Sequence, residues 1–115
     1  MSLLTRSVPI TTAADGTDLT TIRLGPCVIR MIRLELGTLD TPDITITEED
    51  GGKMLLGVAA VAADADYYPT VLGQDNAGAD VVGAAVPVPV LDRIEVATVG
   101  GGDTLTGRLI FFYEH

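Results

Sequence analysis

Apolar and polar residues alternate along most of this chain, and Gly, Pro and Asp cut the alternating stretches at short intervals, a pattern that predicts an all-β domain. Val8 to Thr12 predicts an opening strand, Asp15-Gly16-Thr17-Asp18 a turn, and Leu19 to Leu24 a second strand that Gly25-Pro26 ends. The longest expected strand runs from Cys27 to Leu36. Strict alternation gives it one face with Val28, Arg30, Ile32, Leu34 and Leu36 and another with Cys27, Ile29, Met31, Arg33 and Glu35. Because the second face is half apolar, it predicts cover from a neighbouring subunit or from a loop. Asp43 to Glu48 alternates most cleanly, with Ile44 and Ile46 inward. The acidic turn Glu49-Asp50-Gly51-Gly52 pairs it as a hairpin with a strand from Lys53 to Val58, continued through the alanine-rich Ala59-Ala60-Val61-Ala62-Ala63.

Tyr67 to Leu72 predicts another extended piece, which Pro69 confines to an edge or to the loop running onto one. From Gly73 to Val90 the chain turns to Gly, Ala, Asp and Val and ends in Val86-Pro87-Val88-Pro89-Val90. Prolines two apart lack N–H donors, so this reads either as an edge or polyproline-like arm ready to lie across another surface, or as a long loop closing its own sandwich. Arg93 to Val99 and Thr106 to Glu114 form a last hairpin around the turn at Gly100 to Asp103. Leu109, Phe111 and Tyr113 share one face and Ile110 and Phe112 the other, so both faces are apolar, as in a central or an interface strand. Together these elements predict a single domain over 1–115, an antiparallel β-sandwich or jelly-roll-like fold of about seven or eight strands. Residues 1–7 read as an extended N-terminal arm and 73–90 as a long loop or edge arm.

Composition sharpens this picture. The chain has 115 residues, 16 acidic and 7 basic, for a net charge of -9, yet 47% of it is hydrophobic and its mean hydropathy is +0.38. Disorder requires low hydrophobicity as well as charge, so a folded domain is expected. The scarcity of lysine and arginine argues against nucleic acid as a partner. No apolar run has the length of a signal peptide or of a membrane span of roughly 20 residues, so synthesis in the cytoplasm and no membrane partner are expected.

Candidate chemistry is sparse. Cys27, the sole cysteine, lies in an apolar run and excludes an intramolecular disulfide or a cysteine-rich zinc site. The sole histidine, His115, is the last residue, and the serines are Ser2 and Ser7, which gives a poor basis for nucleophile-and-base catalysis. Gly100-Gly101-Gly102-Asp103 lacks the Lys-Ser/Thr pair and the following helix of a phosphate loop. The acidic stretches at 48–52 and 64–66 lack the spacing of a calcium loop and read as solvated turns. With no Trp, a sugar-stacking platform is poorly supplied. No catalytic residue, cofactor or metal is expected.

The order of several pieces resembles a family of small tailed-bacteriophage proteins encoded among virion structural genes. The pieces are Asp15-Gly16, Thr41 to Thr47, Asp50 to Leu56, Tyr67 to Pro69, the Asp/Ala/Gly loop from Asp75 to Asp80, and Gly101 to Tyr113. Thr70 departs from the pattern, which has an arginine after the proline. The resemblance implies a non-enzymatic virion component, foremost a head decoration or cement protein that meets the major capsid protein or other virion proteins, acting as a homo-oligomer. A tail or head–tail connector protein is the neighbouring alternative, and a jelly-roll module for glycans or a host surface another. Expected contact residues are Leu3 and Leu4, the outer-face Ile29, Met31, Ile110 and Phe112, Tyr67 and Tyr68, and the arm Val86, Pro87, Val88, Pro89 and Val90.

Overall fold

The computed structural model describes residues 3–49, 52–74, 77 and 80–115, with the backbone alone at 71–74 and 80–85. Among these the chain is all-β and holds eleven strands: β1 (Leu4–Thr11), β2 (Asp18–Arg23), β3 (Cys27–Glu35), β4 (Asp43–Glu48), β5 (Met54–Val58), β6 (Ala65–Tyr67), β7 (Thr70–Gln74), β8 (Asp80–Pro87), β9 (Pro89–Val90), β10 (Arg93–Val99) and β11 (Thr106–Glu114). The first sheet has the order β1-β11-β3-β6, with β9 also on β3, and the second has the order β2-β10-β4-β5. All pairings are antiparallel. The two sheets pack face to face as a β-sandwich, and no helix among the described residues is long and apolar enough to cross a membrane.

Period-2 alternation places the core. Val8 and Ile10 of β1, Leu109 and Phe111 of β11, and Ile32 and Leu34 of β3 point from the first sheet toward Ile44, Ile46, Ile94 and Val96 of the second. Burying side chains of this size stabilises the fold by roughly 1.5–3 kcal/mol each before entropy is counted. The strand count exceeds the expected seven or eight because the 65–90 region is more regular than its composition suggests. The extended piece at Tyr67 to Leu72 breaks at Tyr68-Pro69 into β6 and β7, and the 73–90 segment carries β8 and β9.

Three further expectations are corrected. First, strand β5 stops at Val58: Ala60 has a φ of 49°, and its N–H donates to Asp43 Oδ1 at 2.7 Å, so the alanine run is a loop. Second, β1 begins at Leu4, which pairs with Tyr113, four residues ahead of the expected start. Third, strict alternation assigns the faces of β3 incorrectly. The β11 register shifts between Phe112, opposite Met31, and Tyr113, opposite Ile29, so Arg30 is an extra, bulged residue. Cys27 and Ile29 therefore join Ile32 and Leu34 in the core, and Met31 faces outward beside Arg33.

Among the described residues, strands β7 and β8 pair only with each other and leave the first sheet's edge between β6, held on Ile32 to Leu34, and β9, held on Cys27 and Val28. Val88 anchors the returning base: Ile29 N–H donates to its carbonyl at 3.0 Å, and its own N–H donates to Pro69 O at 3.3 Å. The molecule measures 49 × 27 × 24 Å, and its radius of gyration of 14.8 Å exceeds the ~13 Å of a compact chain of this length. Asp50 and Gly51 of the expected acidic turn, and Asp75, Asn76, Gly78 and Ala79 of the expected Asp/Ala/Gly loop, lie outside the described residues.

Candidate contact surface

The outer face of the first sheet is built from alternate residues of four strands. Register sets Ser7, Ile110, Arg33 and Asp66 in one row, Thr5, Phe112 and Met31 in the next, and Pro9, Arg108 and Glu35 on the other side. Met31, Ile110 and Phe112 are half-buried and form its apolar centre. Three ion pairs surround them. Arg108 Nε and Nη2 donate to Glu35 Oε2 and Oε1 at 2.7 and 3.2 Å, and Arg33 Nε and Nη2 donate to Asp66 Oδ1 and Oδ2 at 2.9 and 3.4 Å. Arg30, freed outward by the bulge, donates from Nε and Nη2 to Glu114 Oε2 at 3.2 and 2.9 Å. The Arg33 guanidinium also lies 5.6 Å from the Phe112 ring centre, within cation–π range.

Hydrogen bonding to Arg33 holds the Asp66 carboxyl below its ordinary range, and Asp66 in turn raises Arg33. Glu35 raises Arg108 in the same way, first through its hydrogen bonds and then through its charge. Two shallow hollows of about 320 and 380 Å³ flank Glu35 and Asp64 at this edge. Their carboxylates are already engaged, since Asp64 Oδ1 accepts the Leu36 N–H at 2.8 Å. Among the described residues no group of three or more His, Cys, Asp or Glu could hold a metal ion.

The expected contact residues divide. Leu3 and Leu4 are exposed at the start of the first sheet, and Met31, Ile110 and Phe112 lie on its outer face. Tyr68 is exposed at 66%, whereas Tyr67 is half-buried against the core. Within the Val-Pro segment, Val86 is 42% exposed at the end of β8, Pro87 is half-buried and Pro89 is exposed. Val88 and Val90 are buried in the sandwich, because pairing of β9 with β3 turns alternate residues inward. Ile29 is buried at 0% by the bulge and is corrected from surface to core. The signal that sequence reasoning missed is the set of arginines at 30, 33 and 108: Arg33 and Arg108 stand opposite Asp66 and Glu35 in register, and the bulge brings Arg30 to Glu114.

The candidate catalytic groups sit apart. Ser7 lies on β1 opposite Ile110, whereas the His115 ring stands edge-on to Tyr113 with Nδ1 2.8 Å from Pro26 O. Gly101 N–H donates to Gly16 O at 3.0 Å, so the glycine turn closes on the Asp15-Gly16 turn. The Cys27 thiol is pushed up to about 11, first by burial and then by the nearby Glu48 carboxylate. Its reaction with a thiol reagent at about pH 8 should be slow in native protein and become fast in denaturant. Equally fast labelling of the native chain would contradict its place in the core. Linkage has the same sign: the neutral thiol stabilises the fold below the ordinary pKa of 9.0, and that contribution is lost as pH rises from there toward 11.

No protein-family model and no curated protein matches this chain.

Proposed function

We propose that this chain is a non-enzymatic structural protein of a tailed-phage virion, a head decoration or cement protein that reinforces a shell through subunit contacts. The observation that supports it most is the β7–β8 hairpin, which among the described residues forms a two-stranded sheet of its own beside the sandwich. A two-stranded ribbon is marginal alone in water and gains stability when a second surface covers it. Its stem carries the exposed Tyr68 and Val86, and its sequence from Val81 to Val86 is apolar. An acidic exterior suits a protein that coats a particle, since it keeps particles apart in solution.

The test is co-sedimentation of the full chain with empty capsids assembled from the major capsid protein of the same phage. Saturable pelleting in a fixed ratio to the capsid protein is the expected result, and Val86→Asp should weaken it. A chain that stays in the supernatant at every concentration, or that pellets only with isolated tails, overturns the head assignment.

A further inference from the structure

We infer that the outer face of the first sheet is a homotypic interface, on which a second copy of this chain packs face to face about a two-fold axis. The inference deepens the structural-protein reading and names a partner for one surface. Its first support is charge. The face holds Arg30, Arg33 and Arg108 against Glu35, Asp66 and Glu114, so its ion pairs cancel, with Asp64 a further carboxylate at its edge. Removing these six leaves four basic residues against thirteen acidic ones, so the rest of the molecule carries the whole net charge of -9. Two such molecules repel in every approach that brings acidic surfaces together, and least when these nearly neutral faces meet.

The second support is the arrangement within the face. Met31, Ile110 and Phe112 occupy the middle rows, and the ion pairs ring them, which is the apolar-centre and polar-rim layout of specific interfaces. Every arginine of the rim already has its carboxylate, two of them in bidentate geometry, so drying the face leaves no charge unpaired. The third support is size. Strands β1, β11 and β3 with eight or nine residues each and β6 with three, at ~4.8 Å spacing and ~3.3 Å rise, give a face of roughly 450 Å², about three quarters of the ~600 Å² per partner at the lower end of standard interfaces, the size of a small, reversible dimer contact.

Sedimentation velocity of the full chain tests this. The parent should be dimeric, and raising NaCl from about 0.05 to about 0.5 M should tighten the dimer, because salt screens repulsion between the acidic remainders and leaves the apolar centre intact. Ile110→Glu should weaken it roughly tenfold or more. Arg108→Glu, at an exposed rim position, should do the same by setting a second carboxylate beside Glu35. Leu19→Glu, on the exposed outer face of the second sheet, should leave it dimeric. Circular dichroism confirms folding of each variant. A parent that is monomeric at about 100 µM in high salt, or a dimer lost with Leu19→Glu and kept with Arg108→Glu, overturns the inference. A monomer that still pellets with capsids removes the homotypic interface alone, whereas a dimer that ignores capsids removes the decoration role alone.

Discussion

Phe111→Ala is expected to lower the unfolding free energy by about 3–5 kcal/mol, the range for truncating a fully buried aromatic ring. Phe111 has 0% exposure and lies on β11 between Arg6 of β1 and Ile32 of β3. Strands hydrogen-bonded on both sides hold β11 in place, so the walls of the cavity cannot close and the loss approaches the upper end. A domain of this size has about 5–15 kcal/mol to lose. Urea unfolding should show a much lower midpoint with little change in slope, and the thermal midpoint should fall by roughly 10–25 °C. Leu19→Ala, at a 65% exposed position of the second sheet, should stay within about 0.5 kcal/mol of the parent. Comparable losses in the two variants would mean that β11 is not the centre of the core.

Gly37→Ala should cost about 2–5 kcal/mol, an unusual loss for the addition of one methyl group. Two penalties coincide there. The residue has a φ of 57°, in the left-handed region that costs an L side chain about 1–2 kcal/mol, and a Cβ would stand 2.5 Å from the Thr106 carbonyl oxygen. That oxygen cannot retreat, because it accepts the Thr38 N–H at 2.7 Å, while the Thr106 N–H donates to Thr38 Oγ1 at 2.8 Å. The turn is closed by the Leu39 N–H donating to Leu36 O at 2.9 Å, so the crowding must be relieved by moving β11, at a further cost of about 1–3 kcal/mol. Thermal unfolding measures the loss. A midpoint within about 2 °C of the parent would mean that the turn opens without disturbing the strand.

Much of the sandwich was legible because most of its strands obey one rule, period-2 alternation. In Asp43 to Glu48 the alternation, the β-branched residues and the acidic turn agree, and Ile44 and Ile46 are both in the core. The hairpin of Arg93 to Val99 and Thr106 to Glu114 falls in its expected place but not in its expected pairing. The two strands join different sheets, because a turn signal fixes where a chain reverses and not which neighbour each strand then takes.

Bulges defeat the period-2 reading more completely. One extra residue at Arg30 exchanges the faces on either side of it, so Ile29 and Ile32 are both buried while Met31 between them is not. Nothing in Ile29-Arg30-Met31-Ile32 announces this. The Val-Pro segment failed for the opposite reason: its prolines rightly signalled an edge strand, but an edge strand still has an inner face, and Val88 and Val90 occupy it. The arginine pairs were hidden because their carboxylate partners lie 33, 73 and 84 positions away in sequence, two of them meeting through register and the third through the bulge at Arg30.

The position of β11 also governs how this domain reaches its native state. Its partners in the first sheet are β1 and β3, so the last strand of the domain fills the gap between the first and the third. Pairing Leu4 with Tyr113 closes everything between them into one loop, and among the described strands no two that are consecutive in the chain pair in that sheet. Contacts of such long sequence separation make folding slow, because chain entropy is lost before the contacts repay it. Until β11 arrives, the edges of β1, with Val8 and Ile10, and of β3, with Val28, Ile29 and Ile32, are open templates for pairing with other chains. The order of strands therefore makes the interval before closure the time when this protein is most prone to aggregate.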